Sequence, residues 1–194
     1  EAYLDQKIAD WPHFEDPLPE EEVPVMSGTF NAPLYGLDRW KKLFNSRQRL
    51  ALVTFVEAVR TSYDQIADDS AMLVETTDVQ VDSDELAKAV IGYLGIVTDR
   101  ISDYSSNLMQ WVSSGEFAAH TFVRQALPMS WDYFENGPLS GAGGEWTSHL
   151  EWVLRYIEKN DWSARSTATA KANSATDLPH DDATINAVIT DPPY

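Results

Sequence analysis

From position 86 the apolar residues step by four and three: Leu86, Val90, Tyr93, Val97, Ile101, Tyr104, Leu108 and Trp111. That spacing puts them on one face of a helix, and it predicts about 30 residues of helix ending near Ser113-Ser114-Gly115. Asp82 and Glu85 precede it at capping-box spacing. A stripe of this kind reads as core rather than as a cofactor-binding face. A second stripe, Leu50, Val53, Val56, Val59, Tyr63 and Ile66, predicts another long helix. Asn45 and Gln48 stand at its start as a second capping box. Asp38 is placed to cap a short helix over 39–44, and the polar residues 68–81 read as a loop. Trp146, Leu150, Val153 and Ile157 predict an amphipathic helix, with Glu151 and Arg155 as an i,i+4 pair.

The remaining stretches break periodicity. In residues 1–37 only the first eleven suit a helix. Pro12, Pro17, Pro19, Pro24 and Pro33 then prevent regular structure. This segment reads as a connector lying on the surface, with Trp11, Phe14, Phe30 and Tyr35 as anchors. Residues 117–145 are aperiodic and aromatic, as functional loops often are. Their glycines, Gly141 to Gly144, lack the spacing of a dinucleotide-binding turn, so they read as a flexible turn.

Residues 163–175 alternate Ser, Thr and Ala in a way that suits a strand. After a loop, Ile185, Ala187, Val188 and Ile189 form an apolar, β-branched run of the kind buried in parallel sheets. Asp191-Pro192-Pro193-Tyr194 stops it, because neither proline can donate to a ladder. An acid, two stiff residues and an aromatic then project from the carboxyl end of a strand, where open α/β sheets place ligands. A plain strand-to-turn connection also uses Asp-Pro. The fold class expected is α/β: an irregular connector (1–37), a mainly helical region (38–160), and strands of an incomplete sheet (161–194).

Composition narrows the function classes. The chain has 194 residues, 43% of them hydrophobic, and no cysteine, so neither disulfides nor thiolate metal sites are available. His13, His120, His149 and His180 lack metal-ligand spacing, and no metal is expected. No run approaches the roughly 20 apolar residues of a membrane span, and no signal segment is visible, so a cytoplasmic location is expected. A net charge of −17 opposes a nucleic-acid partner, whose affinity comes largely from neutralised phosphates. The basic residues are nevertheless clustered: Arg39, Lys41, Lys42, Arg47 and Arg49 place five of the fourteen within eleven positions. At the start of a helix they suit phosphate contact. They suit equally well the offsetting of neighbouring acids.

Asp191-Pro192-Pro193-Tyr194 after an apolar strand resembles the catalytic motif of the amino-group methyltransferases. The likeness extends to YGLDRWKKLFNSRQRLAL (35–52), FVRQALPMSWDYFENGPLSGAGGEW (122–146), NSATDLP and TDPPY. Together these are similar to the large adenine-specific DNA methylases of bacteria and archaea, which carry an N-terminal domain of unknown function. The resemblance covers most of residues 35–194, and the tetrapeptide is its most specific part. It implies a Rossmann-like sheet, S-adenosylmethionine as cofactor and an exocyclic amine as target. It also implies roles. The Asp191 carboxylate and the Pro192 carbonyl would accept hydrogen bonds from the amine and free its lone pair. Pro192 and Pro193 would hold these acceptors rigid, and Tyr194 would stack on a base taken out of the helix. Ser174 and Ala175, at the end of the earlier strand, would join Asp191 in contacting the cofactor. An acidic residue is usual where Ser174 stands.

The family's glycine-rich cofactor turn has no counterpart in these residues. The expectation is therefore an interior piece of a site-specific DNA adenine N6-methyltransferase. On its own it would be catalytically silent, would need the remainder of the chain or a companion subunit, and could self-associate through an open strand edge. The alternatives are a cytosine N4 or RNA base methyltransferase, and a non-catalytic nucleic-acid-binding or regulatory module.

Overall fold

The computed structural model describes residues 1–12, 16–26, 28–77, 80–123, 126–160 and 171–191. They fall into two units, Glu1–Lys159 and Asn160–Tyr194. The first contains helices α1 (Ala2–Ala9), α2 (Ser46–Thr61), α3 (Tyr63–Thr76), α4 (Ser83–Asp103) and α5 (Trp146–Lys159). Two 3₁₀ turns, Ala32–Tyr35 and Trp40–Leu43, precede α2. Strands β1 (Gln110–Val112) and β2 (Phe117–Ala119) pair antiparallel, with Trp111 opposite Ala118. The chain is thus mixed α and β, and the described strands form one two-stranded ribbon. Among the described residues no helix is long and apolar enough to cross a membrane.

Helix α4 is the hub, packing against α2, α3 and α5. Ala87, Val97, Thr98 and Ile101 are its buried residues. At its start the Asp82 side chain accepts the Glu85 N–H at 3.0 Å, which supplies a partner to a donor that the helix leaves orphaned. The helix is shorter than the stripe suggests: it stops at Asp103. Here the hydroxyl of Ser106 accepts the Leu108 N–H (3.0 Å), and Asn107 donates its N–H to the Leu43 carbonyl (2.7 Å). Local side-chain acceptors thus compete with the helical ladder. Leu108 remains buried as predicted, but from a turn, while Trp111 lies in β1 and is 45% exposed.

The Asn45 capping box forms in full. Its side chain accepts from Arg47 and Gln48, and the Gln48 amide oxygen accepts the Asn45 N–H at 2.8 Å. The helix it starts is interrupted at Ser62, whose hydroxyl donates to the Val59 carbonyl at 2.9 Å. Residues 63–76, partly assigned to a loop from their polarity, are helix α3. Only Ser70 of that helix is buried, so most of its polar side chains face water. Asp38 does not cap the short turn that follows it. Its carboxylate takes the Lys42 ammonium at 2.6 Å instead, and the turn is 3₁₀ with Arg39 ahead of it.

The proline-rich N-terminal segment lies against the helical unit. Val23, Ala32, Leu43, Leu108 and Leu127 form a buried cluster, with Phe30 and Trp40 packed on it. Of the expected anchors, Trp11 and Phe30 are half-buried. Tyr35 is exposed and meets the edge of Trp131 at 5.0 Å; Phe14 lies outside the described residues. Across the helices, the Phe55 and Trp146 rings stack at 4.8 Å and 2°, joining α2 to α5.

In the second unit, residues 171–191 contain neither helix nor strand. The strand expected over 185–190 is therefore not formed, and the part of the 163–175 strand that is described, 171–175, is irregular; 163–170 lie outside the described residues. A strand gains its stability from ladder partners and a covered face. Among the described residues, none pairs with this run.

Candidate functional site

Asp191 is exposed at the end of the apolar run. Pro192, Pro193 and Tyr194 lie outside the described residues. Ser174 and Ala175 are exposed in a turn, where the Ser174 carbonyl accepts the Asp177 N–H at 3.1 Å. The Ser174 hydroxyl is 2.9 Å from that of Thr176 and accepts the Thr176 N–H at 3.3 Å. These side chains do not enclose a cradle for S-adenosylmethionine.

Four of the five clustered cations pair with carboxylates. Arg47 grips Glu135 with two nitrogens, Nη2 at 2.6 Å and Nε at 3.2 Å. That fork, and to a lesser degree the Tyr133 hydroxyl at 2.8 Å, holds the Glu135 carboxyl below its usual range. Lys41 pairs with Glu20, Lys42 with Asp38, and Arg39 with Glu22 at 3.5 Å. Arg49 reaches the Ser46 hydroxyl at 3.4 Å. The acids beside these cations offset much of their charge.

A constellation without a sequence motif sits where α4 ends. The Nδ1 of His120 is 2.5 Å from Asp103 Oδ2, and its Nε2 is 3.0 Å from the Tyr104 hydroxyl. A carboxylate only accepts, so Nδ1 carries the proton; in the neutral ring, Nε2 then accepts the tyrosine proton. Asp103 is itself held in place. Its Oδ1 accepts the Phe122 N–H at 2.8 Å, and its carbonyl accepts both the N–H and the hydroxyl of Thr121, at 3.0 and 2.7 Å.

On the neighbouring turn of α4, Arg100 donates its Nε–H to Nδ1 of His149 at 3.2 Å. Tyr104 lies between the two histidines, with ring centroids 4.6 Å from His120 and 4.8 Å from His149. Burial raises the Tyr104 phenol above its usual range. Burial, helped by the Arg100 cation, lowers His149 below its own.

Arg100, Tyr104 and His120 border an open cavity of about 590 Å³ between α4 and α5. Tyr93, Trp152 and Tyr156 supply aromatic surface, while Arg100, Tyr104 and His120 supply hydrogen-bonding heads. Arg155, paired with Glu151 at 3.0 Å, stands 5.9 Å above the Trp152 ring. The stripe that reads as core in the sequence is therefore divided. Val97 and Ile101 are buried, whereas Tyr93 and Tyr104 open onto the cavity. Comparison with protein-family models, with curated proteins and with solved structures finds no match for the chain.

Proposed function

We propose that this chain is a working part of a DNA methyltransferase that modifies an exocyclic amine, adenine N6 first. The observation that carries the reading is the tetrapeptide Asp191-Pro192-Pro193-Tyr194 directly after the apolar run at 185–190. The exposure of that run supports it. Ile185, Val188 and Ile189 are 48%, 72% and 96% exposed, a large cost for β-branched residues. Neighbouring strands of a Rossmann-like sheet, from further chain or a companion subunit, would cover them. That assembly would also supply the cradle for S-adenosylmethionine, the methyl donor of this class.

The chain's own share of the chemistry is at the amine. Its nitrogen lone pair is delocalised into the base and attacks poorly. The Asp191 carboxylate and the Pro192 carbonyl accept the two amine N–H groups, favour a pyramidal nitrogen and localise that lone pair. Two consecutive prolines fix the acceptors before the substrate arrives, so little reorganisation is needed. Tyr194 offers a stacking face for a base outside the helix. The cluster of Arg39, Lys41, Lys42, Arg47 and Arg49 exchanges its carboxylate partners for backbone phosphates; exposed ion pairs are weak enough to allow this.

The test is methyl transfer to adenine-containing DNA by the enzyme that carries this chain. Asp191→Ala should lower the rate roughly 10²-fold or more, the loss expected when a preorganised charge is removed. Near-normal transfer by that variant would leave the chain as a non-catalytic module.

A further inference from the structure

We propose that the cavity between α4 and α5 binds a nucleotide whose base carries an amino group. The site lies wholly within the helical unit and shares no residue with the motif at Asp191. Three observations define the ligand. Tyr93, Trp152 and Tyr156 line the cavity, and Trp152 and Tyr156 remain 62% and 54% exposed. Aromatic surface presented in this way stacks planar rings.

The second observation is charge. An aromatic enclosure with no charged group would suit an organic cation, but the Arg100 guanidinium lines this one; Arg155, over Trp152, is neutralised by Glu151 at 3.0 Å and adds no net charge. Arg100 therefore favours an anionic group beside the planar ring. Arg100 uses its Nε–H on His149, which fixes the guanidinium plane and directs its remaining nitrogens, a phosphate-matching fork.

The third is polarity at the far end. In the neutral ring, with Asp103 on Nδ1 of His120, the Tyr104 proton is committed to Nε2. The phenol oxygen is left with acceptor capacity only. An amino group, as on adenine or cytosine, satisfies it; a ring carbonyl does not. The volume, about 590 Å³, falls in the roughly 300–1,000 Å³ range of small-molecule sites. A base, a ribose and one phosphate are of that scale. The same chemistry is offered by a free nucleoside monophosphate and by one unpaired residue of a single strand.

Calorimetric titration of the whole chain separates the outcomes. The probes are adenosine monophosphate, inosine monophosphate, inorganic phosphate and a short single-stranded oligodeoxyadenylate. Adenosine monophosphate, the oligonucleotide or both should saturate, and whichever is tighter identifies the source. Inosine monophosphate, which has a carbonyl in place of the amine, should bind at least about fivefold more weakly. Trp152→Ala, at an exposed position, should weaken binding at least about fivefold, the loss of one stacked base. Tyr104→Phe should erase the preference over inosine monophosphate.

Saturable binding of neither adenine probe at millimolar concentration would overturn the proposal. So would equal binding of inorganic phosphate, equal binding of the inosine probe, or undiminished binding by a folded Trp152→Ala chain. No methyl donor is involved, so either result leaves the methyl-transfer reading where it stood.

Discussion

The Nε–H of Arg100 points at Nδ1 of His149, 3.2 Å away, so this buried histidine must carry its proton on Nε2. Protonating Nδ1 would set an imidazolium against a guanidinium in a site that is 2% exposed. Burial first, and the Arg100 cation second, hold His149 below the usual value of 6.5.

Stability should therefore depend on pH with a definite sign. Between the folded and unfolded values the unfolded chain binds more protons, so unfolding is favoured by acid. The contribution of neutral His149 is complete above about pH 6.5 and is lost as the pH falls towards the lower, folded value. Urea unfolding midpoints measured between pH 7.5 and 5 should fall for the native chain. They should fall less for His149→Asn, which keeps an acceptor for Arg100 and does not titrate. Parallel pH curves would remove His149 from this role.

Gly144 is fixed by two requirements at once. Its φ is +85°, and an added Cβ would sit 2.7 Å from Tyr104 Cδ1 and 2.9 Å from Asn136 Nδ2. The Asn136 amide also donates to the Gly144 carbonyl at 2.9 Å. Gly144→Ala should cost about 1–3 kcal/mol, from backbone strain and crowding together. Gly143→Ala, where an added Cβ meets nothing within 4 Å, should be close to neutral. Denaturant midpoints of the two variants provide the comparison.

The cation cluster predicts a salt effect. If Lys42 and Arg47 turn from Asp38 and Glu135 to phosphates, Lys42→Gln with Arg47→Gln should weaken DNA binding alike for all sequences. The slope of log affinity against log salt should flatten by about 1 to 2 units. An unchanged slope would leave these residues as partners of their carboxylates alone.

The chain alone should not bind S-adenosylmethionine at micromolar concentration. Ser174, Ala175 and Asp191 are exposed and enclose no cradle. Calorimetric titration with the cofactor is the direct measurement. Micromolar binding would mean that a complete pocket forms from these 194 residues.

What the sequence made legible was local. The Asn45 cap needs only residues three apart, and the α5 stripe needs only helical spacing, so both appear where periodicity puts them. The end of α4 was not legible, because Ser106 and Asn107 act through Leu108 and Leu43 rather than through their own pattern. Helix α3 was hidden by its polarity, since it presents most of its side chains to water. The run at 185–190 has the composition of a strand, but composition does not supply a ladder partner. The Asp103–His120–Tyr104 constellation carries no spacing signal. It joins a helix end to the segment after β2, and only the tertiary fold brings them together.

Asp103 fastens that joint with both carboxylate oxygens and its own carbonyl, to three successive residues: His120, Thr121 and Phe122. A fastening so concentrated makes the last turn of α4 and the returning segment one cooperative opening unit. The amide protons of Thr121 and Phe122 then exchange with solvent no faster than those of the helix end that holds them. Asp103→Asn, by weakening one residue, should release all three together.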